Sequence, residues 1–180
     1  MEKTTHSSPD NQEMGHAEHN DTKEYSEMNH KDSYKKLGWM MLLSFVVMYI
    51  LMYAMVDQLE NVIPNINQFY MAGLMASPMI IIEILMMGKM YPDKKLNKIL
   101  LAIGLVLLVG FWFGIRKQTG VGDVQFLKSM IPHHAGAILM VEESSLQDPE
   151  VKKLADDIIK AQNKEIEFMK SKIEELENGR

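Results

Sequence analysis

The chain has 180 residues, a formal net charge of −5 and no cysteine. That acidic balance leaves no basic face to release counterions from nucleic acid, and the missing thiols exclude disulfides, thiolate zinc sites and cysteine nucleophiles. Methionine runs the other way, with 17 copies beside six histidines, so any soft-metal chemistry here must use thioethers and imidazoles.

Residues 1–36 are polar and nearly free of large aliphatic side chains, a composition that predicts a tail unable to fold alone. It carries His6, Met14, His16, His19, Met28 and His30, and Met14-x-His16-x-x-His19 has the makings of a weak metal scavenger. Glu13-x-x-His16 is half of a di-iron motif, but it stands alone, whereas that chemistry needs two such motifs on packed helices. The tail does not read as a secretory signal, because the first apolar stretch begins only at Leu37.

Residues 37–117 predict a membrane domain of three helices, Leu37 to Val56, Gln68 to Met87 and Ile99 to Ile115. The third covers only about 25 Å of a ~30 Å hydrocarbon core, with Lys98 and Arg116 snorkelling at its ends. Lys31, Lys35 and Lys36 precede the first span, Lys89, Lys94, Lys95 and Lys98 separate the second from the third, and Asp57 to Asn67 has neither Lys nor Arg. The positive-inside rule then predicts a multi-pass protein of a bacterial cytoplasmic membrane, N-terminus inside and C-terminal region outside, with Arg116 and Lys117 opposing.

Eleven methionines fall between Met40 and Met90, while the third span has none and is filled by Leu, Ile and Val. In the first span Met41, Met48, Met52 and Met55 repeat at helical spacing, as do Met71, Met75, Met79, Met86 and Met90 in and just beyond the second. Antiparallel packing predicts Met55 near Met71, Met48 near Met75 or Met79, and Met41 at the depth of Glu83. An ionisable group inside a span is a functional candidate, so Met48, Met52, Met71, Met75, Met79 and Glu83 form a possible intramembrane metal set. Pro78 is expected to kink the second span. The bland alternative is that methionine is flexible packing and Glu83 is protonated or paired at the lipid surface.

From residue 120 to 178 the pattern is that of a water-exposed helical hairpin. Gly122-Asp123 begins a helix expected from Val124 to about Ser144, with Pro132 kinking or splitting it, and Ser144 to Gln147 form the turn. Asp148 caps a second helix with Pro149 at its first position. About 55 residues make a meagre core, so the hairpin must pack on something, most simply a second copy. Met130, His133 and His134 cluster on the first helix, Met140 lies one heptad beyond His133, and folding the hairpin is expected to set His133 opposite Gln162 and Met130 near Glu165 and Met169. Such a set suits copper(I) or silver(I), and imidazole also holds copper(II). The alternative is that the two histidines are surface residues beside a methionine-filled core, but a His-His pair flanked by in-phase methionines favours binding.

The run Phe126-Leu127-x-x-Met130-Ile131-Pro132-His133-His134-x-x-Ala137-Ile138-x-Met140, followed by Ile158-Ile159-x-x-Gln162-x-x-Glu165-Ile166-x-x-Met169, resembles the DUF305 family. The resemblance implies an all-α, ferritin-like, usually extracytoplasmic fold with a role in copper and silver binding. It carries Met130, His133, His134 and Met140 over as ligands, and Gln162, Glu165 and Met169 as ligands or their supports. One hairpin is only half of a four-helix bundle, so an oligomer or the membrane domain would complete the site.

These readings lead to a membrane-anchored protein that binds copper or silver, sequestering it or handing it over, in the lipid bilayer and as a homo-oligomer. A second expectation is an oligomeric metal conduit, since three spans, Met71-x-x-x-Met75, Gly110-x-x-x-Gly114 and a His/Met tail are similar to Ctr-type copper transporters. A third is a structural or adaptor protein without metal. No His-Glu-x-x-His, phosphate loop or Gly-x-Ser-x-Gly elbow is present, so no enzyme is expected.

Overall fold

A computed structural model describes residues 32–179; the tail methionines and histidines lie outside the described residues. The described chain is all-helical. Its helices are α1 (Asp32–Met55), α2 (Ile66–Met86), α3 (Lys94–Lys117), α4 (Asp123–Glu142) and α5 (Pro149–Asn178). The last turn of α1, Met52–Met55, tightens to 3₁₀, and a second 3₁₀ turn, Leu59–Asn61, lies in the connection to α2.

The first three helices are each long and apolar enough to cross a membrane. The third helix is longer than its apolar stretch: its 24 residues reach about 36 Å, with charged turns at both ends. Asp93 caps it by accepting from the amides of Lys95 and Leu96, which makes the lysine-rich segment its first turns. Pro78 leaves α2 continuous, and Pro132 does not split α4. In α4 the buried block Ile131, Pro132, Ala135 and Gly136 is packed on both sides of the proline, and that packing outweighs the lost backbone hydrogen bond.

Helices α2 and α3 approach closely because small residues face large ones. A Cβ at Gly73 would fall 2.5 Å from the Phe111 ring, so the aromatic side chain occupies the space that only glycine leaves open. Gly114 lies against Tyr70 in the same way, whereas Gly110 faces open space. At the end where the chain enters α1, Leu37, Ile84 and Tyr91 form a small core with Met41 packed against it. Tyr34 donates to Asn97 Oδ1 (2.8 Å), Asn97 donates to the Tyr91 carbonyl (2.7 Å), and the Tyr91 hydroxyl donates to Glu83 Oε1 (3.2 Å). Burial first, and then the Glu83 carboxylate, push the Tyr91 phenol above its ordinary value.

Gln118, in the left-handed region at φ 50°, ends α3, and its amide meets the carbonyls of Gly114 and Ile115. Only residues 118–122 separate α3 from α4. Helices α4 and α5 then close a hairpin around Ile131, Ala135, Ile138, Ile166, Met169 and Ile173. Val56 and Ile63, from the connection between α1 and α2, pack against this core. The support that so small a hairpin requires therefore comes in part from its own chain.

Candidate metal site

His133 and His134 are neighbours in sequence but step about 100° apart around the helix, and they face different elements. His134 is buried, and its Nε2 lies 2.7 Å from Glu165 Oε2 on α5. Its Nδ1 lies 2.9 Å from the Met130 carbonyl oxygen. Both ring nitrogens are thus engaged by protein oxygens, and an ionised Glu165 requires Nε2 to donate. His134, not His133, is the residue that faces α5.

His133 is exposed towards a cavity of about 500 Å³ between α4 and the adjoining ends of α1 and α2. Met130 and Met140 of α4, Met52 and Met55 of α1, and Met71 of α2 line it with His133. Methionine supplies five of its 13 lining residues but only 17 of the chain's 180, a concentration that general packing does not require. No carboxylate lines it, and among the described residues no three His, Asp or Glu side chains come together as a metal site. A cation held here would rely on thioether sulfur and one imidazole, which select soft ions over hard ones.

The cavity exists because the two parts of the chain are fastened together around it. The Ile66 amide donates to Gln125 Oε1 at 3.2 Å, and Asn67 Nδ2 donates to Gln118 Oε1 and Ser129 Oγ, each at 3.1 Å. Tyr70 donates to the Thr119 carbonyl at 2.7 Å. At Gly136 an added Cβ would lie 3.4 Å from the Met55 carbonyl oxygen, so α4 meets the end of α1 at its small residue. Asn65, which caps α2 by accepting from the Gln68 amide, also lines the wall.

The remaining sequence candidates divide by location. Met169 is in the hairpin core, Gln162 is half-buried on α5, and neither lines the cavity. Glu165 is taken up by His134. Met48 and Met79 are half-buried and Met75 is exposed, all three outside the cavity lining. Glu83 lies in the last turn of α2 and is met by Tyr91, far along α2 from Met71. Met55, expected beside Met71, shares the cavity with it, and its three-residue spacing from Met52 was the available signal. Asn65, Asn67 and Gln68 carry hard amide oxygens, which a search for soft donors passes over.

Residues 116–178 match the family described as Domain of unknown function (DUF305). The chain is also 35% identical over 139 residues to "Uncharacterized protein L153" of Acanthamoeba polyphaga mimivirus, covering 76% of this chain and 90% of that protein. No solved structure matches the chain. The similarity extends beyond the hairpin, because 139 aligned residues exceed the 63 from 116 to 178. The chain belongs to the family of this mimivirus protein, with a DUF305 domain as its C-terminal part.

Proposed function

We propose that the protein is a membrane-anchored carrier of soft monovalent metal, copper(I) or silver(I), that sequesters the ion or hands it over, and that it is not an enzyme. The observation that carries this reading is the face of α4 on which Met130, His133 and Met140 share one cavity free of carboxylates. Thioethers and a neutral imidazole match a soft, weakly hydrated cation, while magnesium or calcium would find no oxyanion there. Copper(II) is the less suited state, because one imidazole and neutral amide and hydroxyl oxygens offer it less than five thioethers offer copper(I).

The finer placement follows from charge. Lys35, Lys36, Lys94, Lys95 and Lys98 gather at the end of the helices away from the cavity, where Tyr34 meets Asn97. The positive-inside rule puts that end in the cytoplasm and the hairpin outside. Silver(I) titration of the detergent-purified whole chain tests the function. Replacing His133 with Ala should weaken binding by about tenfold or more, as losing a ligand does at least what losing a ligand's support does. A wild-type chain that takes up no silver, or an alanine variant that binds as well, would overturn the assignment.

A further inference from the structure

We infer that the metal site is composite: one or more of Met52, Met55 and Met71 from the membrane helices join His133 and Met130 as ligands, so that the bound ion bridges the two parts of the chain. This deepens the reading above and rests on it.

Three observations point the same way. The six residues line one cavity although they come from α1, α2 and α4. Asn65, Asn67, Gln68 and Ser129 line it too, so the methionines of α1 and α2 there border polar side chains rather than a purely apolar surface. The metal-facing side of α4 offers only Met130, His133 and Met140 of its own, since His134 is held by Glu165 and the Met130 carbonyl. Met130 and Met140 are about 15 Å apart along α4, so an ion at His133 takes only one of them, and one imidazole with one thioether leaves a soft ion open on one side. The ends of α1 and α2 close that side with further sulfur.

The arrangement has a thermodynamic corollary. A ligand that binds only the docked arrangement stabilises it, in proportion to the logarithm of its concentration over its dissociation constant. Metal should therefore tighten the hairpin onto the helix ends and protect the connection at residues 118–122 from protease.

The test uses the whole chain in detergent with copper(I) as the probe, competed against a copper(I) chelator. Met52, Met55 and Met71 are changed together to Leu, which keeps volume and helix preference nearly constant. A control changes Met86, Met87 and Met90 to Leu; these are exposed at the far end of α2 and the loop beyond it. The composite site predicts that the first triple loses about tenfold or more in affinity and that the control does not. X-ray absorption of the loaded protein should give a sulfur-dominated shell with one nitrogen, losing sulfur in the first triple. It also predicts metal-dependent protection of the connection in the wild type and its loss in the first triple. If the first triple keeps both affinity and sulfur count while His133→Ala loses affinity, the composite site is wrong and the carrier reading stands. If wild-type protein binds no copper(I), both fall.

Discussion

The two faces of α4 differ in kind. The face towards α5 is closed: Ile131 and Ile138 are fully buried, Met169 and Ile173 fill the space opposite, and His134 is clamped to Glu165. The other face meets the helix ends across an open cavity and leaves His133 and three helices' methionines lining it. Adjacent histidines on one helix thus serve two regions, because residues one apart do not face each other. Donor type alone does not identify a ligand. Methionine appears on both faces, as core filling at Met169 and as cavity lining at Met140.

The largest effect that would break this contrast is expected on the closed side. Ile138→Ala should cost about 2–5 kcal/mol, read as earlier thermal unfolding of the hairpin in detergent, since a fully buried side chain leaves a cavity behind. Unchanged unfolding would mean that this face is not the core. A middle-sized effect is expected at the clamp. His134→Ala should cost about 1–3 kcal/mol, from the lost contacts of a buried ring and its hydrogen bonds, while silver affinity stays at the wild-type level. Glu165→Gln with His134 in place should cost less, because the amide oxygen still accepts from Nε2. Loss of silver binding in His134→Ala with stability intact would move His134 into the ligand set. The smallest effect is at the rim, where Lys128 meets Glu177 at 2.7 Å on a half-exposed surface. Lys128→Ala should change stability by less than about 1 kcal/mol, and raising the salt should shrink even that.

Much of the fold was legible because it rests on one-dimensional signals. Three long apolar stretches, the Asp148-Pro149 start of α5 and the hairpin turn all read directly from residue type and spacing. The starts of α1 and α3 were read too late, since Asp32 and Lys94–Lys98 are polar and apolar counting ignores the turns that Asp93 caps. The candidate site was only half legible. Met130, His133 and Met140 share a cavity, but the rotation that sends His134 to Glu165 is one residue away from the one expected. That rotation is decided by which side of α4 buries Ile131 and Ile138 against α5, a tertiary fact. The partnership of α4 with Met52 and Met55 depends on the segment from Val56 to Asn65 folding back across the helix ends, where Val56 and Ile63 join the hairpin core. Loop trajectories of that kind leave no periodic trace in a sequence.

The left-handed Gln118 begins a leash of five residues between α3 and α4. Fully extended, five residues span roughly 17 Å, less than the length of the helix they tether. The hairpin has no room to roam in search of a client. On the proposed handover, a protein that takes the ion would have to approach the end of the bundle where α4 meets α1 and α2.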